Sequence, residues 1–343
     1  MKSPIFIVGA NRSGTTLLRL ILNAHPHLAI PEEVVYFGSS LAGVPIGRWR
    51  KPGLTKEAYT SFVMQFLDNN CEPLGDIDRE ALLHTILEDG PADFRRPYQC
   101  VLEAWAGRQG KVRWGEKTPG NLFYADIIYE MFPDARFIHL VRDPRAGVSS
   151  MLGTSFFPND VVFNALGRAK FMTEGRAILE KYVPAEQRFL LRYEDIVEAP
   201  QETVHALCAF LGEDFEPAMM DFHEDASRFM KKEAATDFNA AATRPISAEM
   251  RDKWRKKLDP ADIAKIQAVC RRPMAEFGYE LEDIPLSLTD RLEVWTKQLY
   301  WRYQTYRHRH IRHYTVKSMM FARVRGRMRK KLGGLQKRVG MIR

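Results

Sequence analysis

Residues 5–22 read Ile5-Phe6-Ile7-Val8-Gly9-Ala10-Asn11-Arg12-Ser13-Gly14-Thr15-Thr16-Leu17-Leu18-Arg19-Leu20-Ile21-Leu22. A short apolar run rich in β-branched residues, two glycines five apart and a leucine-rich stretch of helical spacing predict a strand, a tight loop and a helix. Such a loop wraps an anion, because its backbone N–H groups and the positive end of the following helix point at the same spot. The spacing Gly9-x4-Gly14 is that of a P-loop, which would next place Lys and then Ser or Thr. Here Thr15 stands where the Lys belongs. The missing Lys is the group that neutralises the β- and γ-phosphates of a magnesium-bound triphosphate. The cation is instead Arg12, inside the loop, whose planar guanidinium can fork onto two oxygens. A less charged anion than a triphosphate is the expected guest.

The elements that follow extend this start into an α/β fold. Leu28-Ala29-Ile30 predicts a short second strand, followed by Pro31-Glu32-Glu33. Residues 36–110 show helical periods broken by prolines, with helices expected near Tyr59–Leu67, Arg79–Leu87 and Phe94–Trp105, and read as a helical insertion that shapes an acceptor site. Lys111–Gly115 predicts a third strand, with Glu116-Lys117-Thr118-Pro119 as a loop and a helix over Asn121–Met131. Ala135–Val141 is a near-continuous apolar run typical of a buried parallel strand. It leads into Arg142-Asp143-Pro144-Arg145 and a helix through Ser150, for which Pro144 is placed at the first turn. A long helix over Val161–Tyr182, a strand over Arg188–Arg192 and helices near Gln201–Leu211, Ala248–Lys257 and Ala261–Phe277 complete the pattern. Strands alternating with helices predict a P-loop-like three-layer α/β fold, a central parallel sheet flanked by helices, with ligands beyond the carboxyl ends of the strands. The expected division is one domain over 1–285 and a basic, aromatic-rich helical extension over 286–343.

Composition narrows the function. With 45% hydrophobic residues in 343, a large core is available. Few residues precede the first predicted strand and no apolar run approaches the roughly 18 residues of a membrane span, so a cytoplasmic protein is expected. Cys71, Cys100, Cys208 and Cys270 lie far apart, without metal-ligand or disulfide spacing, and read as buried free thiols. The net charge of +8 is uneven: residues 291–343 hold 16 Lys+Arg and one acid, Glu293, leaving 35 Lys+Arg and 42 Asp+Glu in 1–290. The basic character is therefore in the tail, and no specific nucleic-acid partner is expected for the body.

Together these segments resemble the sulfotransferases that use 3′-phosphoadenosine 5′-phosphosulfate, and among them the tyrosylprotein sulfotransferase branch in particular. The resemblance rests on Arg12-Ser13-Gly14-Thr15-Thr16-Leu17, Ala24-His25-Pro26 with Glu32-Glu33, Glu116-Lys117-Thr118-Pro119, Val141-Arg142-Asp143-Pro144-Arg145 through Ser150, and Arg192-Tyr193-Glu194-Asp195. It spans about 1–285, in the family's order. It implies that Arg12, Ser13, Gly14, Thr15 and Thr16 hold the 5′-phosphosulfate and that Arg142 and Ser150, eight apart, bind the 3′-phosphate. It makes Glu33 the base that takes the acceptor's proton. Glu32 is the alternative, on the opposite side of an extended segment. Lys117, with Arg12, would stabilise charge on the bridging oxygen. Tyr193 would contact the nucleotide, with core packing as the other reading, and Lys253 matches loosely a residue that closes over the 3′-phosphate. His25 is a weaker candidate for the base, since its place before Pro26 suggests a helix-end structural role. Because sulfuryl transfer moves less charge than phosphoryl transfer, no metal is expected, and the acceptor is a hydroxyl on a peptide tyrosine, glycan, lipid or small molecule.

Two other functions compete. A P-loop kinase or nucleotidase could use Asp143 as a metal ligand, but lacks the loop Lys. A non-catalytic polyanion-binding protein would work through its tail. There aromatic and basic residues interleave from Trp295, and Val316, Met320, Val324, Met328 and Leu332 recur every four residues. That pattern predicts a basic amphipathic helix within residues 291–343, suited to an anionic membrane surface, with packing on the acidic body, a coiled-coil partner surface and non-specific polyanion binding as the other readings.

Overall fold

The computed structural model describes residues 2–34, 36–37, 55–75, 77–88, 93–154, 156–229 and 244–307. In chain order the elements are β1 (Ile5–Gly9), α1 (Thr15–Asn23), β2 (Leu28–Ala29), α2 (Lys56–Leu74), α3 (Arg79–Glu88), α4 (Arg95–Arg108), β3 (Arg113–Lys117), α5 (Ala125–Met131) and β4 (Arg136–Val141). There follow α6 (Pro144–Met151), α7 (Val161–Lys170), α8 (Arg176–Tyr182), β5 (Arg188–Arg192), α9 (Tyr193–Glu198), α10 (Pro200–Leu211), α11 (Pro260–Glu276) and α12 (Leu288–Arg307). They form two compact units, Met1–Val141 with Gly175–Ala248 and Arg142–Glu174 with Glu249–Arg343.

The first unit is built on a five-stranded parallel sheet of order β2-β3-β1-β4-β5, flanked by helices. Every residue of β1 is buried, which is why Ile5–Gly9 is apolar throughout rather than alternating. From β1 the chain runs to β2 and β3 on one side and then crosses to β4 and β5 on the other, so the loop after Gly9 lies where the strand order reverses, the usual place for a ligand. Gly9 has φ 149°, and a Cβ there would meet Leu140 O at 2.2 Å, so any side chain would push β1 off β4.

The third strand differs from its prediction. It runs two residues further, through Lys117, because Phe6 and Ile7 of β1 take Glu116 and Lys117 as ladder partners. Glu116 and Lys117 are thus buried strand residues rather than loop residues. At the other end, Arg113 donates to Leu211 O at 2.7 Å, to Glu213 Oε1 at 2.9 Å and to Ser3 O at 2.6 Å, tying β3 to the end of α10.

Three predicted helices also change. The segment expected over Asn121–Met131 starts as a 3-10 turn, Pro119–Tyr124, because the Asn121 side chain is held by Glu116. The long helix over Val161–Tyr182 is interrupted by a π turn at Phe171–Gly175. Gly175 ends that turn, and a Cβ on it would lie 2.5 Å from Leu122 Cδ2. The helix expected over Ala248–Lys257 is instead two 3-10 turns, Ala248–Met250 and Lys253–Lys256. They place the Trp254 ring 4.5 Å from each of the Arg145 and Arg255 guanidinium groups. The second unit packs α6, α7, α11 and α12 together. Cys71, Cys208 and Cys270 are buried and Cys100 partly so, and all four are free thiols. The amphipathic helix expected around Val316–Leu332 lies outside the described residues.

Candidate active site

In the first unit, the loop after β1 reaches α1 through two left-handed residues, Arg12 (φ 66°) and Gly14 (φ 96°). For Arg12 that conformation costs about 1–3 kcal/mol, the kind of strain a binding loop retains. Gly14 is the N-cap of α1; no side chain caps this helix end and its first turn holds no acid. The first amides of α1 and the positive end of its dipole are thus available to an anion. Ser13 and Thr15 are buried in the loop, whereas Arg12 and Thr16 are half-exposed. Tyr193, the first residue of α9, lies directly against this loop: a Cβ on Gly14 would sit 2.4 Å from Tyr193 Cδ2. The ring is buried and forms one wall of the loop.

Helix α1 also fixes the segment that carries Glu33. Asn23 Nδ2 donates to Ile30 O at 2.7 Å and Ile30 N–H donates back to Asn23 Oδ1 at 2.9 Å. The fully buried Arg19 donates to Phe229 O at 3.0 Å and reaches Ile30 O at 3.5 Å. Three residues beyond this clamp, Glu33 Oε1 accepts from Lys117 Nζ at 3.1 Å. The pair is asymmetric: Lys117 is almost fully buried and the Glu33 side chain is 49% exposed. Glu33 thus meets the lysine at the end of β3 and remains open to an incoming group. His25 sits at the end of α1, engaged through both ring nitrogens. Its Nδ1 accepts from His27 N–H at 3.1 Å and its Nε2 lies 3.1 Å from Asp214 O.

Beside Lys117, Glu116 is fully buried. Its carboxyl accepts from the Thr118 hydroxyl and from Asn121 Nδ2, the latter at 2.7 Å. Burial dominates over these donors and over Lys117, and with the charge of Glu33 pushes its pKa up to about 7. The folded protein then holds a proton that an unfolded glutamate, near 4.5, has lost. The stability this confers is complete below about pH 4.5, falls as pH rises and is gone above about 7, a change of roughly 3 kcal/mol. Urea unfolding at about pH 5 and about pH 8 checks it: Glu116→Gln is expected to flatten the stability difference between the two by that amount. An unchanged difference would mean that Glu116 is ionised in the folded state.

In the second unit, Arg142 and Ser150 bracket α6 and both are half-buried. Arg142 Nη2 donates to Met250 O at 3.4 Å. Beneath α6 lies Arg168, almost fully buried, whose Nη2 donates to Arg142 O at 3.3 Å. Burial and the nearby Arg142 bring its pKa down to about 10. It packs so closely that a Cβ on Gly147 would lie 1.9 Å from its guanidinium carbon, which explains a glycine in the middle of α6. Lys253 is exposed, in the 3-10 turn Lys253–Lys256. Asp143 is the N-cap of α6, accepting from Arg145 N–H at 2.8 Å, and its carboxylate pairs with Arg145 Nη2 at 2.7 Å. This carboxylate is thus engaged in both a cap and an ion pair.

Arg19, Asn23, Glu116 and Arg168 complete these surroundings and were not among the residues expected from sequence. For Arg19 the signal is a charged side chain inside the apolar run Leu17–Leu22.

A family model described as "Sulfotransferase family" matches residues 4–217. Protein-tyrosine sulfotransferase 1 of Danio rerio is 28% identical over 295 residues, covering 80% of this chain and 72% of the relative. Nodulation protein NoeE of Sinorhizobium fredii is 26% identical over 298 residues, covering 80% and 65%. Among solved structures, the sulfotransferase domain from the curacin biosynthetic pathway superposes with a TM-score of 0.55 at 22% identity, covering 82% of this chain and 99% of that one. That likeness is one of fold. The family match takes in β1 through α10, and with them the anion loop, the clamp on Ile30, the Glu33–Lys117 pair and Tyr193, so the chain belongs to the sulfotransferase family.

Proposed function

We propose that the protein moves a sulfuryl group from 3′-phosphoadenosine 5′-phosphosulfate to an acceptor hydroxyl, with Glu33 as the base. The observation that carries this reading is the Lys117 Nζ to Glu33 Oε1 contact of 3.1 Å, which puts a half-exposed carboxylate beside a buried ammonium at the end of a strand next to β1. The donor fits the loop on chemical grounds, since an uncapped α1 N-terminus and a guanidinium in the loop suit a singly charged sulfuryl better than a magnesium triphosphate.

In this reading Ser13, Gly14, Thr15 and Thr16 bind the 5′-phosphosulfate through amides and hydroxyls, and Arg142 and Ser150 bind the 3′-phosphate. Tyr193 and Lys253 complete the nucleotide contacts. The donor supplies the sulfuryl group. Glu33 Oε takes the proton from the acceptor oxygen, while Lys117 Nζ and Arg12 stabilise the negative charge that builds on the leaving oxygen. Relatives bearing the name protein-tyrosine sulfotransferase make a tyrosine hydroxyl in a peptide the first acceptor to try. Incubation with radiolabelled donor and separate peptide-tyrosine, glycan, lipid and small-phenol acceptors tests the proposal. Acceptor-dependent transfer of label is expected, and hydrolysis of ATP in its place would favour the kinase reading.

A further inference from the structure

Helix α12 has two opposite faces. On the inner one Val294 and Trp301 are buried, and the Tyr300 ring lies 6.0 Å from that of Phe163. Lys297 donates to Asp160 at 2.6 Å on the same face. The outer face carries Leu288, Leu292, Trp295, Leu299, Tyr303 and Tyr306, from 53% (Leu299) to 82% (Leu288) exposed. At roughly 100° per residue these six fall in one stripe about 80° wide. A rise of about 1.5 Å per residue makes it about 27 Å long. Single exposed apolar residues are ordinary on a protein surface, but six aligned along one helix mark a contact surface.

The charges beside the stripe indicate what covers it. Arg291, Arg302 and Arg307 flank it and are exposed. Both acids of the helix, Asp290 and Glu293, are turned away and engaged by Lys265, at 3.1 and 2.9 Å, and Glu293 also by Lys297. Beyond Arg307 the sequence continues through 308–343 with 12 Lys+Arg and no acid. Pairing of this face with a second copy would bring arginines together with no free acid to answer them. An anionic surface meets every one of these cations.

We propose that the outer stripe of α12 docks on an anionic lipid bilayer. The helix lies in the plane of the interface, with its leucines toward the acyl chains, Trp295, Tyr303 and Tyr306 at headgroup level, and the flanking arginines on lipid phosphates. It does not cross the bilayer, since no described helix is long and apolar enough to do so. The inference is independent of which group the enzyme transfers.

Co-sedimentation of the full chain with phosphatidylcholine vesicles, with and without phosphatidylglycerol, tests it. The wild type is expected to sediment with the anionic vesicles only. Leu292→Ser combined with Trp295→Ser and Leu299→Ser should partition roughly tenfold or more weakly. These side chains face solvent, so the melting temperature should hold. Exchange of Arg291, Arg302 and Arg307 for Gln should weaken binding in the same way and keeps the apolar stripe. Undiminished partitioning of the serine variant would assign binding to residues 308–343 and overturn the proposal. So would a wild-type dimer in ultracentrifugation that the serine variant dissociates, which would give the face to a second copy.

Discussion

Glu33→Gln is expected to leave donor affinity unchanged and to lower turnover by about 10²–10⁴-fold, the usual contribution of a positioned base. The amide keeps the shape of the side chain and can still accept from Lys117, so the Ile30 clamp and the loop lose nothing. What it cannot do is accept the acceptor's proton. Lys117→Ala should cost about 10²–10³-fold in turnover, as does removal of a donor aimed at a developing charge. It should also release Glu33, whose contact with Lys117 Nζ is 3.1 Å. Because the two side chains share that contact, the double variant should lose less than the product of the single losses. Single-turnover assays of the three variants, with binding of the donor product adenosine 3′,5′-bisphosphate measured alongside, check each part. Full turnover in Glu33→Gln would remove Glu33 from the role of base.

Gly14→Ala is the second large effect, and here the loss begins in the backbone. Left-handed φ costs an alanine about 1 kcal/mol or more, and the new Cβ would stand 2.4 and 2.8 Å from two carbons of the Tyr193 ring. The ring is buried and cannot simply swing out, so overpacking adds about 1–3 kcal/mol. A total destabilisation of about 2–4 kcal/mol is expected, with loss of bisphosphate binding because the α1 amides no longer face one point. In a Tyr193→Ala background, which removes the collision but not the strain, Gly14→Ala should cost only about 1 kcal/mol in urea unfolding. No cost at all in that background would mean that the backbone of Gly14 is unstrained.

How much of this was legible in the sequence depended on which polar residues are buried. Strands β1 and β4 are legible because strands inside a parallel sheet read as short apolar runs, and the edge strand β5 still carries Phe189-Leu190-Leu191. The last residues of β3 are not, since Glu116 and Lys117 look like a solvated loop until Thr118, Asn121 and Glu33 are seen to satisfy them. A lone arginine in a helical pattern reads as surface, which hid Arg19 under Ile30 and Arg168 under α6. Gly147 was the trace of Arg168 in the chain, but a glycine inside a helix does not name the side chain that needs the space. The loop residues Arg12–Thr16 were legible because glycine spacing records backbone conformation directly, and both left-handed positions fall within that run. Periodicity could also suggest that the C-terminal region is amphipathic, yet only the packing of Val294 and Trp301 separates the inner face of α12 from the outer one.

Isothermal calorimetry with adenosine 3′,5′-bisphosphate in a metal-free buffer, against ATP with magnesium, tests most directly whether this is a donor site for sulfuryl transfer. The bisphosphate is expected to bind tightly without metal and ATP weakly. Arg142→Ala should weaken the bisphosphate while leaving adenosine 5′-monophosphate unchanged. Preference for ATP with magnesium, or bisphosphate binding that ignores Arg142, would contradict it.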